Sequence, residues 1–252
     1  IMSTPTITDP YPYLFVEDVF TDELYSCMLS KLPKKNNLYE PLQAGLKRYV
    51  LTLSNAKTKK PGKGKPDPKY DPKFWSKWVD AFGGDALKLA YLGKFNSTLS
   101  LRDMPPGTSA STYHKRMFWK IKLSRDMEGY AIGPHTDSND KWVTALYYLP
   151  KDKKNIDSAG TCVVRSKSGK VQLANSDWEK WSDPDFDVVF QAPFVPNSVF
   201  VFAPCFGSWH AVKQIDVPFE RNTIQSFIMG KDKVRKKHCP GHPDPNANSN
   251  AK

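Results

Sequence analysis

The chain has 252 residues, of which 39% are hydrophobic and 13% aromatic, so it is long and apolar enough for one folded domain with a substantial core. No apolar run approaches the roughly 18 residues of a membrane-spanning helix, and residues 1–10 lack a signal-peptide pattern, so we expect neither feature. The net charge of +11 is compatible with a nucleic-acid partner, but the basic segments contain no series of aromatic residues of the kind that stacks on bases, which favours a solvated lysine-rich surface.

The four cysteines are widely separated along the chain and show no paired spacing. This pattern favours reduced thiols and a cytoplasmic location. The cysteines are Cys27, Cys162, Cys205 and Cys239.

Residues 1–112 predict a largely helical lead-in. Tyr11–Val19 alternates weakly between apolar and polar residues and is typical of a strand. Thr21 is a candidate N-cap for a helix whose apolar residues recur at helical spacing until Pro33 ends it. Arg48–Leu53 predicts a second strand before the next helical segment.

A basic segment and a second helix follow. Lys57–Lys73 contains seven lysines and four prolines, too few apolar residues to bury, and therefore predicts a mobile loop. Asp71 and Pro72 then begin a helix, which Gly83-Gly84 interrupts before it resumes from Ala86 to Leu92.

From about residue 113 the sequence is typical of β structure, and helices followed by strands predict an α+β chain that is mainly β. Short antiparallel strands at this spacing indicate a sandwich or barrel. We therefore expect one domain over residues 1–230, with its β core over 113–230, and a frayed, polar, basic tail over 231–252. The predicted strands are Met117–Leu123, Tyr130–Asp137, Trp142–Leu149, Thr161–Val164, Val188–Phe190, Ser198–Phe202 and Arg221–Met229.

A histidine and a carboxylate lie two residues apart in one of these strands. In extended chain His135 and Asp137 would point to the same face, as metal ligands from one strand must. This pattern predicts half of an iron site with two histidines and one carboxylate. A second such pair, His242-Pro243-Asp244, lies among Pro, Gly and Asn residues without a strand and is set aside.

The third ligand must come from elsewhere in the β core. His210 lies 75 residues after His135 and follows the apolar strand Ser198–Phe202. Arg221 opens the last strand and shares a face with Thr223. If that face points inward, Arg221 is a buried cation that needs an anionic partner, and its guanidinium is well suited to a ligand carboxylate.

These motifs together resemble those of the 2-oxoglutarate/Fe(II)-dependent oxygenases. The order is His-x-Asp, a strand ending in Tyr-Tyr-Leu, a distal histidine, and an arginine on the next strand. Val143–Asp152 is most similar to the prolyl-hydroxylase branch of that superfamily. The resemblance implies a double-stranded β-helix, or jelly roll, with the N-terminal helices packed outside.

Carried over by position, the resemblance implies that His135, Asp137 and His210 are the iron ligands. It implies that Arg221 binds the distal carboxylate of 2-oxoglutarate, with Tyr148 and Thr223 as hydroxyl partners. O2 is then the second co-substrate, and ascorbate a candidate accessory reductant. An intact Asp137 argues against the halogenating variant of the superfamily.

The implied reaction is hydroxylation of a C–H bond, coupled to decarboxylation of 2-oxoglutarate to succinate. The prolyl-hydroxylase likeness favours a prolyl residue in a peptide or protein as the substrate; a free amino acid or other small molecule is the alternative. A catalytically inactive jelly-roll binding module is the alternative from another class. Lys57–Lys73 either borders the mouth of the site and captures substrate or is a solvated surface loop.

Overall fold

A computed structural model describes residues 3–34, 38–42, 47–53, 70–104, 108, 110–154, 157–173, 178–216, 218–230, 234 and 236–242. Most of the predicted basic loop Lys57–Lys73 lies outside the described residues, so both interpretations of it stay open. The prediction of a frayed end beyond residue 242 lies outside them as well.

The described chain contains five helices and eleven strands. The helices are α1 (Asp22–Ser30), α2 (Pro72–Phe82), α3 (Asp85–Lys94), α4 (Asn96–Leu99) and α5 (Ala110–Tyr113). The strands are β1 (Tyr13–Val16), β2 (Glu40–Pro41), β3 (Arg48–Thr52), β4 (Met117–Asp126), β5 (Ile132–His135), β6 (Lys141–Tyr148), β7 (Cys162–Ser166), β8 (Phe186–Gln191), β9 (Ser198–Phe202), β10 (His210–Val212) and β11 (Arg221–Gly230).

The strands form two antiparallel sheets. The larger sheet has the order β1-β9-β6-β11-β4-β3-β2, and the smaller has the order β5-β10-β7-β8. Three strands of the lead-in, β1 to β3, join the larger sheet. The prediction of a mainly β, α+β chain with a jelly-roll core is confirmed.

The outer face of the larger sheet carries mainly apolar side chains, and its inner face carries both apolar and polar side chains. Residues such as Ala145, Tyr147 and Ile224 belong to the main hydrophobic cluster, together with Trp75 and Trp78 of α2. The helices therefore cover the outer face, as predicted. Alternating residues of the same strands point inward, toward the smaller sheet, and line the interior of the jelly roll.

The predicted helix boundaries are confirmed by their caps. The hydroxyl of Thr21 accepts a hydrogen bond from Leu24 N at 3.3 Å, and α1 ends at Ser30. The Asp71 carboxylate accepts from Lys73 N and Phe74 N at the start of α2. Gly83 and Gly84 separate α2 from α3. Among the described helices, none has both the length and the apolarity needed to cross a membrane.

The prediction that all four thiols are reduced is wrong for two of them, because Cys205 and Cys239 form a disulfide across 34 residues. Spacing along the chain does not report which cysteines the fold brings together. Cys27 and Cys162 are free. The thiol argument for a cytoplasmic location therefore fails.

The described part of the tail is packed, so the prediction that it frays is wrong there. Val234 and Lys236 are buried, the disulfide attaches Cys239 to the β core, and His242 Nε2 lies 2.6 Å from Pro10 O. The polar composition concealed this docking, because Lys236 is buried through hydrogen bonds rather than through apolar contact.

Candidate metal centre

His135, Asp137 and His210 converge in the interior of the jelly roll, and we call them the metal triad. Their ligand atoms all lie within 4.8 Å of one another. The strand pairing brings the histidines together, because β10 pairs with β5 so that His210 lies opposite His135. The Nε2 atoms of His135 and His210 lie 3.9 and 3.8 Å from oxygens of Asp137.

The backbone conformation that brings Asp137 to the triad differs from the predicted extended strand. The strand ends at His135, and Asp137 has a φ of +63°, in the left-handed region, so the two side chains do not share an extended face. A turn places the carboxylate instead. Lys236 donates to the carbonyl oxygens of Thr136 and Asp137 at 3.2 and 2.7 Å and so holds this turn.

Backbone contacts orient both histidine rings. His135 Nδ1 lies 2.9 Å from Gly133 O, and His210 Nδ1 lies 3.0 Å from Ser208 O. A carbonyl only accepts, so each Nδ1 carries the proton and each Nε2 keeps its lone pair. Burial and the proximity of the two rings lower the pKa of His135 well below its usual value, and burial lowers the pKa of His210. Both rings are therefore neutral ligands.

The third member is an ionised carboxylate. Burial alone would raise the pKa of Asp137, but the charge and the hydrogen bond of Lys141 outweigh it and lower the pKa well below its usual range. Lys141 Nζ donates to Oδ1 at 2.5 Å, and Thr144 Oγ1 donates to Oδ2 at 2.8 Å. Two neutral imidazoles and one carboxylate on one side of a cavity are the donor set of a mononuclear non-haem Fe(II) site. The residues present therefore fit the metal that the sequence implies.

The triad lies in a cavity of about 340 Å³ between the two sheets. Apolar residues, including Ile132, Leu146 and Phe227, form part of its wall. The polar and charged lining residues are Arg48, Lys120, Lys122, His135, Asp137, Ser138, Asp140, Lys141, Thr144, Thr161, Gln172, His210, Arg221 and Gln225.

Arg221 lines the same cavity and is 1% exposed, as predicted for an inward-facing residue. Its NH1 donates to Asp126 Oδ2 at 2.8 Å, its Nε to Ala159 O at 2.5 Å, and its NH2 contacts Thr161 Oγ1 at 3.4 Å. Arg48 binds both oxygens of the same Asp126, at 2.5 and 2.8 Å. Two buried guanidinium groups thus share one carboxylate in this arginine cluster (Arg48, Asp126 and Arg221), which leaves one positive charge available to a ligand carboxylate.

The two hydroxyl residues predicted beside Arg221 lie near it but do not line the cavity. Thr223 pairs with Tyr148 across β11 and β6, so both side chains occupy the inner face. The Tyr148 hydroxyl donates to Thr161 Oγ1 at 2.8 Å and accepts from Thr161 N at 3.0 Å. The buried hydroxyl of Thr223 has no partner among the described residues. Thr161 presents the hydroxyl that faces the cavity.

Several residues of the site were not identified from the sequence. Thr144 could have been found, because it alternates with Leu146 and Tyr148 on a predicted strand. Arg48 and Lys236 gave no such signal, since each meets its partner only through long-range contacts. Tyr130, the first residue of the predicted strand Tyr130–Asp137, is fully buried in a small apolar cluster with Ile132, Val212 and Ile215.

No family model matches the chain, and no curated protein sequence matches it. Its fold, however, is similar to that of solved structures. A Pseudomonas putida prolyl-4-hydroxylase matches at 12% identity and a TM-score of 0.50, over 88% of this chain and 95% of that chain. A Trichoplax adhaerens prolyl hydroxylase, in complex with a hypoxia inducible factor peptide fragment, matches at 12% identity and a TM-score of 0.50, over 88% and 84%.

A third structure is the dioxygenase for auxin oxidation 1 from Arabidopsis thaliana in its binary complex with 2-oxoglutarate. It matches at 12% identity and a TM-score of 0.52, over 92% of this chain and 88% of that chain. At these identities the likeness establishes the fold, which is that of the 2-oxoglutarate-dependent oxygenases.

Proposed function

We propose that the chain is a 2-oxoglutarate- and Fe(II)-dependent dioxygenase that hydroxylates a C–H bond. The observation that carries the proposal is the presence of the metal triad and the arginine cluster in one cavity. A catalytically inactive jelly-roll binding module needs neither three converging ligands nor a buried cation with spare charge. The donor chemistry therefore favours the enzyme.

Each residue has a role that its contacts support. His135, Asp137 and His210 hold the iron, with the ring orientations set by Gly133 and Ser208. When bound, Fe(II) supplies the oxidising chemistry with O2 and 2-oxoglutarate, which is converted to succinate and CO2. Arg221, supported by Arg48, binds and orients the distal carboxylate of 2-oxoglutarate.

The hydroxyl groups beside Arg221 complete the carboxylate site. We assign Tyr148 and Thr223 to this carboxylate site. Tyr148 acts either through its hydrogen bond to Thr161 or by rotating its hydroxyl from Thr161 toward the co-substrate. The unpaired hydroxyl of Thr223 supports this assignment, because a buried donor without a partner costs free energy that a ligand oxygen would recover. The apolar part of the wall excludes water from the reacting centre.

The substrate that we favour is a prolyl residue in a peptide or protein. Two of the structures with this fold are prolyl hydroxylases, and the Val143–Asp152 segment is similar to that branch. A small-molecule substrate is the second candidate, supported by the cavity's volume, about 340 Å³, and by the fold shared with an auxin dioxygenase.

A succinate assay tests the proposal. The purified protein is given Fe(II), 2-oxoglutarate and O2, with and without ascorbate, and a panel of proline peptides and free amino acids. We expect substrate-dependent succinate formation that H210A abolishes. Absence of both succinate and metal binding would contradict the enzyme assignment and favour a binding module.

A further inference from the structure

The cavity carries more positive charge than the metal triad and the arginine cluster use. Lys120 and Lys122 of β4 both line it. Neither lysine forms a hydrogen bond or an ion pair with any residue of the described ranges. Lys120 is exposed and Lys122 is half-buried, so the pair lies at the open side of the cavity, where cations without a counter-charge attract anions.

Strand register fixes where these lysines lie. Across the inner face, Thr144 pairs with Phe227 and Phe227 with Lys120, so these residues form one row. Leu146, Gln225 and Lys122 form the next row. Neighbouring strands are about 4.8 Å apart, which places the backbone of Lys120 about 10 Å from that of Thr144. Thr144 binds Asp137 of the triad directly.

The arginine cluster occupies a different row. Arg221 pairs with Asp126, and Asp126 pairs with Arg48, two rows beyond Lys122. The cation assigned to the co-substrate carboxylate, Arg221, is therefore separated from both lysines along the strands. Lys120 shares the row of Thr144, whose hydroxyl binds Asp137, and Lys122 lies one row further toward Arg221.

The charges around Lys120 and Lys122 favour the binding of an anion. Burial and repulsion from Lys120, Lys141 and Arg48 lower the pKa of Lys122. Lys141 is already paired with Asp137 at 2.5 Å. Of the carboxylates in or near the cavity, Asp126 and Asp137 are paired with other cations, and Asp140 accepts a hydrogen bond from Ser138. None of these carboxylates forms an ion pair with Lys120 or Lys122, so both charges remain available to an anionic ligand.

We propose that Lys120 and Lys122 select a substrate with a carboxylate or phosphate group close to the C–H bond that is oxidised. This inference rests on the proposed function, because it assigns the substrate class of the same site. The acidic group is either a side chain next to a prolyl residue or part of a small molecule. Both sources present the same chemistry to the lysines.

Titration calorimetry on a complex that does not turn over tests the inference. Protein loaded with Zn(II) and 2-oxoglutarate is titrated with two matched pairs of probes. One pair is the acetylated peptides Glu-Pro-Glu and Gln-Pro-Gln, and the other is N-acetylaspartate and N-acetylasparagine. The same titrations are made on K120Q/K122Q and on the control K73Q/K77Q, which removes two exposed charges from α2 on the opposite side of the sheet.

We expect one charged probe to bind the unmodified protein roughly tenfold more tightly than its neutral partner, about the value of one charge-assisted hydrogen bond. The ratio of the two affinities, charged probe to neutral probe, should fall toward one in K120Q/K122Q and stay unchanged in the control. The pair that shows the preference identifies the source of the anion. A ratio near one in the unmodified protein, no binding by either charged probe, or an unchanged ratio in K120Q/K122Q would overturn the inference. Failure of the proposed function is distinguishable, because Zn(II) and 2-oxoglutarate would then not bind in the loading step.

Discussion

At the scale of single residues, each member of the metal triad is held by a hydrogen bond with a group outside the triad. Gly133 O and Ser208 O fix the two imidazole rings, while Lys141, which also lies over the ring of Phe227, and Thr144 donate to the two carboxylate oxygens of Asp137. Such supporting contacts set both the direction and the protonation of ligands before the metal arrives. The triad is therefore preorganised.

Replacing Arg221 by lysine should weaken 2-oxoglutarate binding by roughly 10- to 100-fold, about 1.5–3 kcal/mol. Lysine keeps the charge but loses the two parallel donors that suit a carboxylate. Calorimetry with the Zn(II)-loaded protein measures the effect. R165K, at an arginine that is paired with Asp9 on the surface, is the control. Equal affinities for 2-oxoglutarate in R221K and the unmodified protein would remove Arg221 from the co-substrate site.

Asp126 should make the free energy of unfolding dependent on pH. Burial opposes its ionisation, but Arg48 and Arg221 outweigh burial and lower its pKa. The stabilisation that ionised Asp126 contributes is therefore complete above its usual pKa of 3.8. It is lost as the pH falls through the lower pKa of the folded state.

The comparison that isolates this effect is D126N. At pH 7 it should be less stable by about 3–5 kcal/mol, because two buried guanidinium groups lose their partner. Urea unfolding at several pH values should show this difference shrinking below pH 3.8. The exposed variant E128Q is the control. A difference that stays constant down to acid pH would contradict the assigned ion pairs.

At the scale of elements, the C-terminal segment acts on the metal triad although it belongs to neither sheet. Lys236 binds the carbonyl oxygens of Thr136 and Asp137, and the Cys205–Cys239 disulfide fixes the segment beside β10. This segment completes the turn that aims Asp137.

Replacing Lys236 by methionine should therefore loosen that turn and lower metal affinity by roughly 10- to 100-fold, the range for contacts that orient ligands. Zn(II) titration measures the affinity, and urea unfolding at the same pH separates it from a loss of stability. K237M is the matched control, since the neighbouring lysine pairs with Asp103 instead. Unchanged metal affinity in K236M would show that the turn holds without it.

The sequence predicted most elements, because each carries its own local pattern. The cap at Thr21, the break at Gly83 and the strand Ser198–Phe202 all depend on residues within a few positions. Strand β10 has only three residues, too few for alternation to be recognised. The disulfide and the docking of Lys236 depend on contacts between distant segments, which local patterns do not report.

The same distinction applies to the site. The sequence selected the three members of the triad, but through an extended strand that the left-handed Asp137 does not continue. The inward side chain of Arg221 followed from alternation. Its link through Asp126 to Arg48 required the sheet order, because Asp126 lies 78 residues after Arg48 and 95 residues before Arg221.

At the scale of the whole molecule, the main hydrophobic core and the candidate site lie on opposite faces of the larger sheet. The helices and the outer face form the main hydrophobic cluster, while the inner face carries the cavity. Trp78 belongs to the first region, where it packs against Phe20, Phe82 and Tyr147.

W78A should therefore lower the free energy of unfolding by about 3–5 kcal/mol and leave metal affinity of the folded protein unchanged. Thermal unfolding and Zn(II) titration below the melting transition measure the two effects. L89A is the control, because Leu89 of α3 is 41% exposed and lies outside the cavity lining, so its loss should change stability far less. A parallel loss of metal affinity in W78A would mean that the two faces are coupled.

The central claim is that the metal triad and the arginine cluster together bind Fe(II) and 2-oxoglutarate. Its most direct test is the anaerobic titration of Fe(II) and then 2-oxoglutarate into the protein, followed by the visible absorption of the chelated iron. The unmodified protein and H114Q, which changes a histidine outside the cavity, should develop the absorption at one iron per chain. H210A and D137A should not bind iron, and R221K should need more 2-oxoglutarate to reach the same signal. The same absorption in H210A and D137A as in the unmodified protein would contradict the account.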